Sequence, residues 1–119
     1  MTVRGVRGAI TVDTNSKEAI VSATQELIEH MISENKIKTE DIASVFFTTT
    51  TDLNADFPAQ AARKLGMNLV PLLCASEIAV PGALAKCIRI LIHWNTNQSQ
   101  AEIKHAYLGG AKVLREDLK

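Results

Sequence analysis

Two arginines interrupt strand-like segments that are otherwise nearly uncharged, and both could bind an anion. Arg7 stands within VRGVRGAITV and Arg89 within KCIRILIHW. A guanidinium in the middle of a strand needs a partner for its charge. Its planar fork of donors grips a carboxylate better than a lysine ammonium does. An internal salt bridge or a position at the rim of a sheet would satisfy the same side chains, so spacing leaves both interpretations open.

Three further side chains are candidates for chemistry, and each also has a purely structural explanation. Glu77 follows the apolar segment LVPLLCAS, where it is either a ligand-binding carboxylate or a loop residue in water. Cys74 could be a nucleophile, although no catalytic triad accompanies it and small cysteines commonly pack in cores. Tyr107, the only tyrosine, either packs or offers its hydroxyl to an anion.

Motifs for metal, nucleotide and covalent chemistry are absent from the sequence. No HExxH, Walker or GxGxxG pattern occurs, and His30, His93 and His105 stand singly. Cys74 and Cys87, the only cysteines, form neither a zinc-binding spacing nor a disulfide framework. We therefore expect no cofactor and no metal, and any enzyme here would work by positioning and electrostatics.

Composition narrows the class of protein further. A chain of 119 residues with 46% hydrophobic side chains suits one domain over residues 1–119. The net charge of zero argues against nucleic-acid binding. No apolar run approaches the roughly 18 residues of a membrane span, and the N-terminus lacks the apolar region of a signal peptide. With only two thiols, the expected location is a reducing cytoplasm.

The elements that position these residues follow from periodicity and from capping signals. The order β-α-β-α-β-β-α-β predicts an α+β fold with a mixed sheet and one long helix. The predicted elements are a strand over 2–12, a helix from Asn15 or Ser16 to Asn35, a strand over 42–50, a short helix from Pro58 to Gly66, strands over 69–74 and 86–96, a capped turn from Ser99 to Glu102, and a strand over 104–108 before an irregular tail that starts at Gly109.

Strand alternation places the two arginines on the face opposite the core. In the first strand Val6 and Ile10 share one face and Arg7 the other, and in the fourth Ile88 and Ile90 oppose Arg89. A single long helix covers only one face of the sheet. The half-covered second face, which carries Ala, Leu, Cys and Thr among its charges, predicts association with other subunits.

Five segments in order resemble one known family. They are VRGVRGAITV, TDLNADFPAQAAR, VPLLCASEI, KCIRILI and HAYLGGAKVLREDL. Together they are similar to the monofunctional chorismate mutases of the compact, non-helical type known from Bacillus. The resemblance implies a pseudo-α/β-barrel homotrimer with active sites in clefts between subunits. It also implies the Claisen rearrangement of chorismate to prephenate, in phenylalanine and tyrosine biosynthesis, without cofactor or metal.

The resemblance also assigns roles to the residues singled out above. It implies that Arg7 binds a substrate carboxylate and that Arg89 faces the ether oxygen whose bond breaks. Glu77 and Cys74 would lie at the ring hydroxyl, and Tyr107 beside a carboxylate. Arg89, Glu77 and Arg7 are the implied catalytic residues.

Further substrate-binding positions follow from the same family. Phe57 and Arg63 match residues that a neighbouring subunit contributes to the cleft. Leu114 and Arg115 match a C-terminal segment that closes over the site.

The sequence departs from the family's pattern at two further positions that the resemblance assigns to substrate binding. Gln60 stands where a lysine can occur, and Leu73 where a threonine can occur. We expect both to alter substrate affinity more than chemistry. The segment Leu65-Gly66-Met67 is one residue shorter than in some relatives, which indicates a loop change.

Two other functions are compatible with an arginine-lined cleft. One is a trimeric imine or enamine deaminase, which binds a carboxylate with an interfacial arginine. The other is a non-catalytic trimer that senses a small anionic metabolite. A structural domain without a ligand would require Arg7 and Arg89 to be paired internally.

Overall fold

A computed structural model describes residues 1–114, and five strands and two α-helices form within them. The strands are β1 (Thr2–Thr11), β2 (Ile42–Thr49), β3 (Leu72–Ser76), β4 (Cys87–Thr96) and β5 (Ala106–Leu108), and the helices are α1 (Lys17–Asn35) and α2 (Ala59–Lys64). Short 3₁₀ helices cover Thr39–Asp41, Gln100–Glu102 and Gly109–Val113.

The strands form one mixed sheet in the order β3-β2-β4-β1-β5. The central strand β4 pairs antiparallel with both β1 and β2, while β5 and β3 pair parallel to β1 and β2 at the two edges. The prediction of an α+β fold with a mixed sheet and one long helix is therefore confirmed.

Helix α1 has the boundaries that its sequence predicts. Ser16 caps the first turn, where its hydroxyl accepts the Ala19 N–H at 3.1 Å. The helix ends at Asn35, followed by Lys36 in the left-handed conformation with φ of 55°. Within the described chain, no helix is both long and apolar enough to cross a membrane.

The main core lies between α1 and one face of the sheet. Residues of alternate positions in β1, β2 and β4 pack there against the apolar stripe of the helix. The largest fully buried side chains include Phe47, Leu27, Ile28, Ile90 and Ile92. This is the alternation that the sequence predicts for β4.

The opposite face of the sheet, here called the open face, is covered only at one end. There Ala9, Cys87 and Ala111 form a small second cluster under the last 3₁₀ helix. Farther along the face Phe46 is 38% exposed and Leu73 58% exposed. The middle of the open face is thus accessible, flanked by apolar side chains.

Strand β3 begins later than the sequence predicts, at Leu72 instead of residue 69, and continues to Ser76. Pro71 has no N–H to donate to the β2–β3 ladder. The chain turns at Gly66, whose φ is 84°. The Pro71 carbonyl still accepts the Val45 N–H at 3.0 Å. As predicted from Pro71, β3 lies at an edge of the sheet.

The C-terminal elements also differ from the expectation. Strand β5 starts at Ala106 instead of residue 104, because the Lys104 N–H and carbonyl bond the Asn35 side chain at 2.8 Å each. The Ser99–Glu102 capping box is confirmed around one 3₁₀ turn. The segment after Gly109, predicted to be irregular, forms a 3₁₀ helix as far as Val113.

Candidate active site

Arg89 and Glu77 meet on the open face. Arg89 is the third residue of β4, in register with Thr48 of β2. Glu77 follows the last residue of β3, and its N–H donates to the Thr49 carbonyl at 2.9 Å, which extends the β2–β3 ladder. Arg89 Nε lies 3.2 Å from Glu77 Oε2, with the two side chains 32% and 17% exposed. The contact is an ion pair without the alignment of a hydrogen bond.

Thr48 completes this arrangement. Its Oγ1 donates to the same Glu77 oxygen, Oε2, at 2.7 Å. The sequence pattern places Thr48 only within a strand and does not predict this contact. The one available signal was a run of threonines at the end of β2, but no local spacing connects that run to Glu77.

Arg7 joins Arg89 in one cavity of about 340 Å³ on the open face, whose apolar walls include Phe46, Leu73 and Leu91. The backbone N–H of Arg7 donates to Nδ1 of His105 at 3.0 Å. Within residues 1–114 no carboxylate lies within 4.0 Å of its guanidinium. An internal salt bridge therefore exists for Arg89 but not for Arg7 in this part of the chain. Glu77 is not a loop carboxylate in water.

The cavity suits a small organic anion. Two arginines line it among apolar side chains, and binding pockets for small molecules commonly combine a few polar groups with apolar walls in this way. Within residues 1–114 no three His, Cys, Asp or Glu side chains are grouped so as to hold a metal ion.

Tyr107 lies beside this site at the covered end of the open face. Its ring packs with the second cluster of Ala9, Cys87 and Ala111. Its hydroxyl is buried and has no hydrogen-bond partner among the described residues. A buried hydroxyl without a partner destabilises a protein by about 1–3 kcal/mol, which an acceptor on a ligand would relieve.

Cys74 points away from the arginines. It is in register with Phe47, packs against the main core, and lines a separate groove of about 390 Å³ together with Phe57. Burial raises the pKa of the Cys74 thiol, although the Ala59 N–H and the charge of Arg63 oppose that shift. A thiol that stays protonated is a poor nucleophile. Of the two roles considered for Cys74, the structure shows packing against the core.

Gln60 and Arg63 lie on α2, outside the cavity that holds Arg7 and Arg89. Arg63 Nη1 donates to Gln60 Oε1 at 3.1 Å, and both residues line a groove of about 930 Å³ between α1 and α2. Phe57, just before this helix, is 64% exposed. Within one chain these three residues do not join the arginine cavity.

The C-terminal positions are only partly described. Leu114 packs against the second cluster, as Tyr107 does. Arg115 lies outside the described residues. Leu73, by contrast, lines the arginine cavity directly.

Comparisons with known proteins agree with the resemblance seen in the sequence. The family described as chorismate mutase type I matches residues 3–118. Chorismate mutase AroH of Thermus thermophilus is 51% identical over 118 residues, which are 98% of this chain and 97% of that protein. Chorismate mutase AroH of Bacillus subtilis is 44% identical over 119 residues, 99% of this chain and 94% of that protein.

A solved structure agrees as well. The chorismate mutase from Clostridium thermocellum superposes with a TM-score of 0.92 at 49% identity, covering 93% of this chain and 99% of that one. With a family match over nearly every residue and relatives of this similarity, the chain belongs to the type I chorismate mutase family and is a chorismate mutase.

Proposed function

We propose that chorismate rearranges to prephenate in the cavity on the open face, with Arg89, Glu77 and Arg7 as the catalytic residues. The observation that carries this assignment is that Arg7 and Arg89 line one largely apolar cavity, where Glu77 contacts Arg89 at 3.2 Å. The product serves phenylalanine and tyrosine synthesis, and the expected location is the cytoplasm.

Binding two carboxylates is the first task of the site. Chorismate is a dianion whose enolpyruvyl arm must fold over the ring before the new C–C bond can form. Holding that conformer removes an entropic part of the barrier. Arg7 and the Tyr107 hydroxyl, which has no partner among residues 1–114, suit carboxylates at this cavity. Arg63 of an adjacent protomer would add a third such group.

Stabilising the transition state is the second task. As the C–O bond stretches, negative charge builds on the ether oxygen and positive charge spreads over the ring. A cation already aimed at that oxygen stabilises the transition state more than the substrate. Arg89 takes this role, and the Glu77 carboxylate orients the ring hydroxyl and faces the opposite pole. No proton is transferred, so no general base is required.

A homotrimer of the pseudo-α/β-barrel type would complete the site. Exposed apolar side chains such as Phe46 and Leu73 give the open face the character of an interface. Phe57, Gln60 and Arg63 lie apart from the arginine cavity in a single chain, and we assign them to the cleft of an adjacent protomer. Cys74 would then line the same cleft through its groove with Phe57, while Leu114 and Arg115 close over the substrate.

Complementation between two impaired variants, one with a low kcat and one with a raised KM, tests the shared cleft. Arg89→Ala and Arg63→Ala proteins, denatured and refolded together, should form mixed trimers in which some clefts carry both arginines. Loss of chorismate absorbance at low substrate concentration should then exceed that of either variant refolded alone. Light scattering should give three times the chain mass of 12.9 kDa. A monomer, or a mixture no more active than its components, would refute the shared cleft.

A further inference from the structure

Thr48 occupies the strand between the two partners of the ion pair. It lies on β2, in register with Arg89 on β4 and with Ala75 on β3. Its side chain is half-buried and lines the same cavity as Arg7. Neighbours on both sides hold its backbone in the sheet, and a β-branched side chain has little rotational freedom. The Thr48 hydroxyl is therefore a well-fixed donor.

The Glu77 carboxylate, by contrast, needs a fixed donor. Glu77 lies just beyond the end of β3, where the ladder contributes only its backbone N–H. The terminal torsion angle of a glutamate side chain has a broad, roughly two-fold distribution, so the carboxylate can rotate unless a contact fixes it. Glu77 Oε2 accepts a hydrogen bond from Thr48 Oγ1 at 2.7 Å and lies 3.2 Å from Arg89 Nε. Among residues 1–114 no hydrogen bond or ion pair engages Oε1.

We propose that Thr48 is a positioning residue for the mutase reaction, whose hydroxyl fixes the Glu77 carboxylate so that Oε2 faces Arg89 and Oε1 faces the ligand. One oxygen of the carboxylate orients the guanidinium. The other accepts the ring hydroxyl of the substrate. This inference rests on the proposed roles of Glu77 and Arg89, and it adds a residue outside the set assigned from the sequence.

Matched substitutions separate the hydroxyl from the shape of the side chain. Thr48→Val keeps the branched shape and removes the donor, while Thr48→Ser keeps the donor. We expect Thr48→Val to lower kcat by about tenfold, the scale of a hydrogen bond to a charged group. Thr48→Ser should stay within about threefold of the parent. Equal losses in both variants would overturn the proposal. Thr48→Ala removes the donor without added bulk and replaces the valine variant if that protein does not fold.

A double-mutant cycle with Glu77→Gln shows whether Thr48 acts through the carboxylate. In the Glu77→Gln background, Thr48→Val should change kcat by less than twofold, because the charged acceptor is already gone. The same tenfold loss in both backgrounds would overturn the role of Thr48 and leave that of Glu77 intact. If Glu77→Gln alone keeps the parent kcat, the assignment of Glu77 fails, and the role of Thr48 fails with it. Thermal unfolding and oligomer mass, measured on every variant, exclude a general loss of structure.

Discussion

Arg89 reaches across a neighbouring strand to contact Glu77, because β2 lies between β4 and β3 in the sheet. The 3.2 Å contact therefore joins two elements that share no backbone hydrogen bonds. Removing one partner of a partly buried ion pair leaves the other charge without compensation. Each of the two residues thus sets the orientation and the charge balance of the other.

Replacing Arg89 by lysine should impair catalysis much more than removing Arg63. We expect Arg89→Lys to lower kcat by about 10²–10³, the usual loss of one donor aimed at developing charge. A lysine ammonium lacks the fork that serves Glu77 and a ligand together. Arg63→Ala should mainly raise KM. Steady-state kinetics on both purified variants measure this difference. Equal losses of kcat would contradict the role of Arg89 in stabilising the charge on the ether oxygen.

Restoring a cation at position 60 should improve binding without faster chemistry. Gln60 now accepts a hydrogen bond from Arg63 at 3.1 Å and carries no charge. We expect Gln60→Lys to lower KM with little change in kcat, because a cation at the rim attracts substrate and transition state alike. Gln60→Met, similar in length but uncharged, is the control. An unchanged KM in the lysine variant would contradict the prediction.

Asp52 should make folding stability depend on acidity. Hydrogen bonds from the Thr50 hydroxyl and the Lys86 N–H lower the pKa of Asp52 below 3.8, against a smaller opposing effect of burial. A group whose folded pKa is depressed adds stability above its unfolded pKa and loses it as pH falls through the folded pKa. Asp52→Asn should therefore destabilise the protein at pH 7 and progressively less below about pH 3.8.

Urea unfolding at fixed protein concentration measures this difference across pH. Asp13→Asn is a suitable control, since within residues 1–114 the Asp13 carboxylate makes no hydrogen bond or ion pair. A gap between parent and Asp52→Asn that stays constant from pH 7 to pH 3 would show that the carboxylate charge is not the cause.

A side chain at Gly8 should destabilise the core, because helix α1 packs directly over this position. A Cβ at Gly8 would lie 2.5 Å from Met31 Sδ and 3.1 Å from Leu27 Cδ1, and Met31 is fully buried. Overpacking of this kind destabilises a core by about 1–3 kcal/mol. We expect Gly8→Ala to lower the free energy of unfolding by that amount in chemical denaturation. The loss should shrink in a Met31→Ala background, and an equal loss in both backgrounds would argue against the clash.

Local sequence signals predict much of this architecture. The capping serine and the apolar stripe define α1, since a helix closes its hydrogen bonds among near neighbours. Period-two alternation places Arg7 and Arg89 on the face that the helix does not cover, since successive strand residues point to opposite sides. The sequence also lacks motifs for metal and covalent chemistry, which favours a mechanism of binding and electrostatics.

Which of these side chains contact one another depends on how the strands pair. Alternation assigns a residue to a face but does not say which strand lies beside it, because pairing joins segments far apart in the chain. The order β3-β2-β4 places Thr48 between Arg89 and Glu77, and no spacing in the sequence encodes that contact. Burial against the core likewise turns the thiol of Cys74 away from Glu77, although the two residues are only three positions apart in the chain.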